Sequence, residues 1–270
     1  MKLAISNIAW NVDEQSRMVD ILRGKQVSGI EIAPTMVWPE WRGASVESAA
    51  EVHRLMQAEG FTVPALQAIL FGRPDLKVFG SEEERRRLLK HLSTVAELAR
   101  VLGARVLVFG SPRNRDPGDL TNQQAFHAAV SFFRSAGEVV SRSDVRICIE
   151  PNPEAYNCRF VTNWRQAEAL VRAVNHPGFR LHLDSGCIYM AGDDPVEAIF
   201  TCADIMAHFH ISEPELSDFR TPVIAHARIG TAIAASGYNG WLSIEMRRSS
   251  NPLESVTMAV ERVREWYPVE

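Results

Sequence analysis

The chain has 270 residues, with 29 Lys and Arg against 33 Asp and Glu and a net charge of −4, a balance that argues against a surface built to hold nucleic acid. Its four cysteines, Cys148, Cys158, Cys187 and Cys202, form no CxxC pair and no regular framework, which fits free thiols in a reducing cytosol. The opening MKLAISNIAWNVDEQ lacks the apolar run of a signal peptide, and no stretch approaches the ~18 apolar residues of a membrane span. The expectation is a soluble, cytoplasmic protein forming one domain over residues 1–270.

Short apolar runs alternate with longer segments of helical spacing along the whole chain. KLAIS is followed by SRMVDILRG, GIEIA by VESAAEVHRLMQAEG, TVPALQAI by EEERRRLLKHLSTVAELARVLG, and ARVLVFG by TNQQAFHAAVSFFRSAGEVV. VRICIE then precedes TNWRQAEALVRAV, FRLHLD precedes DPVEAIFTCA, MAHFHI precedes RIGTAIAASG, and GWLSIE precedes NPLESVTMAVERVREW. Gly60, Gly103 and Gly237 follow three of the helical segments, as helix C-caps prefer. Ser81 and Glu84 have capping-box spacing, and Glu82/Arg86 and Glu83/Arg87 sit at i,i+4, so SEEERRRLLKHL reads as a solvated helix face. Eight alternating units at this length predict a single (β/α)8 TIM barrel. No GxGxxG, P-loop, HExxH or GxSxG occurs, which sets nucleotide cofactors and serine-hydrolase chemistry aside.

Four late strands end alike. Side chains alternate faces along a strand, so every second residue of a barrel strand points inward. If Glu150, Asp184, His210 and Glu245 point inward, then Ile149, Leu183, Phe209 and Ile244 point out at the helices, and Cys148, His182, His208 and Ser243 lie inward one layer down. Loop-like sequence follows each tip, which places all four at the C-terminal mouth where barrel enzymes carry their chemistry. A lone acidic strand end is more often a loop anchor or helix cap, but three carboxylates and an imidazole converging there would repel one another without a cation. The donor set suits one divalent ion, Mn²⁺, Mg²⁺ or Co²⁺, with Zn²⁺ also compatible. His182 and His208 read as hydrogen-bonded residues beneath the ligands.

The stretches IEPNP (Glu150), LHLDSG (Asp184), HFHIS (His210), SGYNGWLSIEM (Glu245) and GIEIAP carry a resemblance to the xylose-isomerase-like barrel superfamily of sugar isomerases and epimerases, over essentially the whole chain. The apurinic-site endonucleases are its distant relatives. The resemblance to the ketose 3-epimerase branch implies that Glu150, Asp184, His210 and Glu245 bind one divalent metal and that Glu150 and Glu245 also form the proton-transfer pair. Relatives are often dimers or tetramers, so a homo-oligomer is compatible with it. The chain departs from the pattern in three places. Cys187 stands where many relatives have histidine, and Tyr156 and Leu216 replace a glutamate and an arginine that contact substrate in the epimerases. Glu154 and Arg220 are nearby candidates to replace them. Cys187 reads as a small residue near the mouth, with a soft extra ligand or a reactive thiol as alternatives.

The implied activity is a metal-dependent isomerisation or epimerisation of a sugar, sugar acid or polyol through a metal-stabilised enediolate. Loss of a β-hydroxyl from the same intermediate would instead give a polyol-ketone dehydratase. Trp38 and Trp41, after the second strand, are candidates to stack on substrate or form a lid, with core packing as the alternative. Arg113 and Arg115, with Arg247 and Arg248, would put positive charge at the mouth and favour an acidic or phosphorylated sugar, unless they are ordinary surface arginines. His226 in IAHARIG keeps a nuclease-like spacing to Ile229-Gly230 and joins the candidate substrate-site residues. Ile224 and Cys187, however, stand where the nucleases place an aspartate and a histidine ligand. A non-catalytic sugar-binding barrel is a further alternative, opposed by the presence of both glutamates.

Overall fold

In the computed structural model, which describes residues 1–270, eight parallel strands alternate with helices. The strands are β1 (Lys2–Ser6), β2 (Gly29–Glu31), β3 (Ala65–Leu66), β4 (Val106–Phe109), β5 (Arg146–Ile149), β6 (Phe179–Asp184), β7 (Met206–Ile211) and β8 (Trp241–Ile244). The helices from α1 to α5 are Gln15–Gly24, Pro34–Val37, Val46–Ala58, Glu82–Leu102 and Asn122–Ser141. Those from α6 to α10 are Trp164–Val174, Ser185–Met190, Pro195–Cys202, His226–Ala235 and Pro252–Trp266. Strand order runs β2-β1-β8-β7-β6-β5-β4-β3, and the bridges Gly29↔Thr62 and Ile32↔Leu66 join β2 to β3, leaving a nearly closed (β/α)8 barrel. No helix is long and apolar enough to cross a membrane.

Local chemistry accounts for the elements. In α4, Leu88, Leu92, Val95, Leu98, Ala99 and Leu102 recur at helical spacing and are buried against the barrel. Burying each leucine or valine is worth roughly 1.5–3 kcal/mol. Ser81 and Glu84 form the expected capping box, and Gly103 closes the helix at φ +86°, a conformation that costs a side-chain-bearing residue. The expected i,i+4 pairs on this face are replaced by an i,i+3 contact between Glu83 and Arg86. The run TVPALQAI gives only a two-residue strand, because Pro64 offers no N–H to a ladder and Ala68 turns to φ +51°.

The barrel interior is not uniform. On the β3–β5 side it is filled by small apolar residues, Ala65, Val106, Val108 and Cys148. Polar groups line the other side: Glu31 on β2, His182 on β6, His208 and His210 on β7, and Ser243 on β8, all nearly or fully buried. The register sets Asp184 opposite His210 and His210 opposite Ser243, while Glu31 pairs with Ser6 of β1. Phe179, Leu181, Leu183 and Phe209 face the other way, into the main core with the helices. The alternation thus delivers polar atoms to one side of the mouth.

Candidate active site and metal centre

Asp184 ends β6 and His210 is the penultimate residue of β7, while Glu150 and Glu245 lie one residue beyond β5 and β8. All four are buried at the C-terminal end of the barrel. Asp184 Oδ1 accepts the Cys187 N–H at 2.6 Å, and the Ser212 hydroxyl lies 2.7–2.8 Å from both Asp184 oxygens. Ser212 Oγ also accepts the Gly186 N–H, so its proton is directed at the carboxylate. Gly110 follows β4 at a point where an added Cβ would overlap Glu150 Oε2, so a side chain there would displace this carboxylate from its present position.

His210 sits between acids. Its Nε2 lies 2.9 Å from Glu31 Oε2, and its Nδ1 lies 3.1 Å from Glu245 Oε2 and 3.9 Å from Asp184 Oδ2. Burial opposes its charge, yet Glu31 and Glu245 hold the imidazole well above its ordinary pKa. Burial would likewise raise the Glu31 carboxyl, but His210 and His208 keep it well below the usual range. Glu150 is pushed upward by burial and then by Glu245 and Asp184. Asp184 is raised by burial and by Glu245, against the pull of His210. Acids driven up by one another mark a place where a cation would lower the energy.

The arrangement fits a divalent metal. Donor atoms of Glu150, His182, Asp184 and His210 all lie within 4.8 Å of one another, and every one of these residues is buried. Both ring nitrogens of His182 are buried without a hydrogen-bond partner, and its ring meets His210 edge-on at 4.2 Å. His182, expected beneath the ligands, is therefore at donor distance from them. Burial and then the neighbouring His210 and His208 push its pKa well below the ordinary value, so it offers neutral imidazole nitrogens. His208 also lies within 4.8 Å of donor atoms of His182 and His210, but its nitrogens are turned to other groups: Nδ1 accepts the Phe209 N–H at 2.8 Å, and Nε2 approaches Glu31 Oε1 at 3.4 Å. Glu245 stays within hydrogen-bond reach of His210 Nδ1.

Glu31 and Ser212 were not among the site residues expected from sequence. The signal for Glu31 was present in GIEIA, where the outward parity of Ile30 and Ile32 turns Glu31 inward. Ser212 has no such signal, because its role depends on β6 and β7 lying side by side.

The expected substrate residues divide. A cavity of about 700 Å³ at the mouth is lined by Glu150, Tyr156, Phe71, Ser111, Arg113 and Asn114, among others. Tyr156, at the position of a glutamate in the epimerases, thus does face the cavity, and its phenol is pushed upward by burial and then by Cys187 and Asp184. Cys187 lies 3.9 Å from Glu150 Oε1, and burial followed by Asp184 and Glu150 raises its thiol well above normal, which opposes the reactive-thiolate alternative. Trp38 does not stack in the cavity; it is buried in the main core. Trp41 also points elsewhere, packing edge-on against His91 while its Nε1–H donates to the Phe71 carbonyl at 3.0 Å. Its part is to hold the loop that carries Phe71.

The charged residues near the mouth also differ from expectation. Arg115 is no surface cation: it is fully buried and donates to the carbonyls of Phe109, Gly110, Glu150 and Phe160 and to Asn152 Oδ1. Arg248 is bound to Glu14 at 2.7–2.9 Å, and Arg247 is exposed away from the cavity lining. His226 is buried with Nε2 on Glu213 Oε1 at 2.7 Å and Nδ1 on the Tyr267 hydroxyl at 2.8 Å, leaving no nitrogen for substrate or metal. Arg220 pairs with Asp218 and Glu254 and does not replace a substrate arginine; Glu154 lines a separate depression.

Solved structures share this architecture at low identity. D-psicose 3-epimerase with D-tagatose, from Clostridium cellulolyticum H10, is 15% identical with TM-score 0.82, covering 98% of this chain and 99% of that one. The probable 3-DHS dehydratase AsbF of Bacillus anthracis is 15% identical with TM-score 0.75 over the same shares, 98% and 99%. The IOLI protein with a binding zinc atom is 18% identical with TM-score 0.77 over 100% of both chains. No curated protein matches the chain. The family profile described as "Xylose isomerase-like TIM barrel" matches residues 24–266. The chain belongs to the xylose isomerase-like TIM barrel family.

Proposed function

We propose that the protein is a divalent-metal-dependent isomerase or epimerase of a hydroxy-carbonyl compound of the sugar or polyol class. The observation that carries this reading is the convergence of Glu150, Asp184, His210 and Glu245 at one end of the barrel, with Glu150 also lining the open cavity. These four residues would hold the ion, His210 through Nδ1, since its Nε2 is engaged by Glu31. A bound divalent ion would polarise a substrate carbonyl and its neighbouring hydroxyl and offset the negative charge of an enediolate. Glu150 and Glu245 follow β5 and β8, with β6 and β7 between them, so they approach a substrate from two sides. One carboxylate removes the carbon-bound proton and the other returns it. Return to the same carbon from the opposite side epimerises; return to the neighbouring carbon isomerises. Similarity to the epimerase and zinc-binding folds supports the reading.

A dehydratase is the second reading, and Tyr156 favours it. Its side chain lines the cavity together with Glu150, so its hydroxyl could donate a hydrogen bond to a departing β-hydroxyl.

The test is elemental analysis of the purified protein after incubation with Mn²⁺, Co²⁺ or Zn²⁺, followed by proton exchange from D2O into a panel of keto-sugars. About one ion per chain is expected, with exchange lost in Glu150→Gln and Glu245→Gln. A chain that takes up none of these ions refutes the reading. Exchange accompanied by water loss would select the dehydratase.

A further inference from the structure

We infer that the substrate of this site carries an anionic group, a carboxylate or phosphate, at the end remote from the reacting carbons, and that Arg113 selects it. This inference rests on the proposed metal-dependent reading and names the class of compound within it.

Only three charged residues line the mouth cavity: Arg73, Arg113 and Glu150. Glu150 belongs to the ligand set. Arg73 is already satisfied, its Nε and Nη2 each 2.9 Å from an oxygen of Asp75. Arg113 has no ion-pair or hydrogen-bond partner, so it is the one uncompensated charge facing the cavity. A guanidinium so placed matches a carboxylate or phosphate in a two-pronged geometry that a neutral hydroxyl cannot reproduce.

The position of Arg113 is set by its neighbours. Ser111 adopts a left-handed conformation at φ +46°, and Pro112 begins the short 3-10 turn Pro112–Arg115. Asn114 is clamped on the far side, its Nδ2 donating to the carbonyls of Arg73 and Leu76 and its own carbonyl accepting Val78 N–H. Arg115 is locked into the β4–β5 junction by its buried hydrogen bonds. Arg113 is thus an exposed side chain on an anchored backbone, which lowers the entropy lost when it binds. The opposite electrostatic choice is absent. At the position where the epimerases carry a second glutamate, Tyr156 faces the cavity, so no carboxylate outside the ligand set is there to accept hydroxyls or repel an anion.

The experiment uses the full chain loaded with Mn²⁺ and three six-carbon ketoses of one configuration: D-fructose, D-fructose 6-phosphate and D-fructuronate. Binding is measured by calorimetry for the parent, Arg113→Ala and Arg113→Lys, with metal content determined on the same samples. At least one anionic ketose should bind roughly tenfold or more tightly than fructose, the size of a good charge-assisted contact. That preference should vanish in Arg113→Ala, return in part in Arg113→Lys, and weaken with added salt. Whether the phosphate or the carboxylate shows it identifies the source of the anion. Equal binding of all three, no binding of any, or a preference that survives Arg113→Ala overturns the inference. Bound ion with fructose as the preferred ligand would overturn the anion inference alone. A parent that takes up no ion would overturn it together with the metal-dependent reading beneath it.

Discussion

Two buried Glu–His pairs sit near the same end of the barrel and differ in what remains free. In the first, Glu31 engages His210 Nε2 at 2.9 Å; in the second, Glu213 engages His226 Nε2 at 2.7 Å. The other nitrogen of His226 is taken by the Tyr267 hydroxyl, and its ring stacks on Trp266 at 5.0 Å and 5°. The other nitrogen of His210 faces Glu245 and Asp184, two acids that also need a cation. Glu213 is itself completed by the Val223 N–H at 2.9 Å, whereas Glu31 Oε1 is met only by His208 Nε2 at a longer 3.4 Å. The same residue pair makes a closed strut in one place and leaves an imidazole nitrogen turned toward two acids in the other. What distinguishes them is residual valence, and burial is common to both.

Substitutions around His210 should have the largest effect. Asp184→Ala and His210→Ala should each reduce bound metal from about one ion per chain to none, read by elemental analysis, because each removes a proposed ligand. The closed pair should respond in stability and leave the metal alone. His226→Ala abandons a buried Glu213 carboxylate, so a loss of about 3–5 kcal/mol is expected in denaturant unfolding with metal content unchanged. Adding Glu213→Gln to that variant should restore part of the loss, since no unpaired charge is then left behind.

Smaller effects sharpen the contrast. Glu31→Gln should keep the fold yet weaken Mn²⁺ binding roughly 10–100-fold, the usual cost of removing the partner that orients a ligating histidine. In equilibrium dialysis, His226→Ala should show no such change. Metal affinity should also climb with pH. Burial and mutual repulsion raise Glu150 and Asp184, and the acids around His210 raise its imidazole, so each must shed a proton to ligate. The same shifts set the sign for the protein alone. With Glu150 and Asp184 raised above 4.5 and 3.8, the folded state binds more protons than the unfolded one, so their contribution to stability falls as pH rises above those values. Added Mn²⁺ should reverse that fall in a thermal melt, and by more at higher pH.

Much of this was legible along the chain. Parity within a strand is a local property, so the inward set Glu150, Asp184, His210 and Glu245 followed from the runs that contain them, and the same rule applied to GIEIA exposes Glu31. The helix caps at Ser81 and Gly103 were equally local. The loops were not. Four arginines near the mouth look alike in sequence, yet Arg115 is a buried strut, Arg248 pairs with Glu14, Arg247 lies outside the cavity and Arg113 faces it. Trp38 and Trp41 fell to packing for the same reason, since a loop residue's surroundings are supplied by distant segments.

By itself, then, the sequence determined the alternation of elements, the barrel and the inward face of each strand, because hydrophobic periodicity and backbone geometry act over a few residues. The packing of segments against one another decided which polar groups meet: Ser212 on Asp184, Glu31 on His210, Glu213 on His226, and Arg113 unmatched at the cavity. Those meetings join residues 13, 28 and 179 positions apart, and each forms only when the segments that carry the two partners have packed against one another.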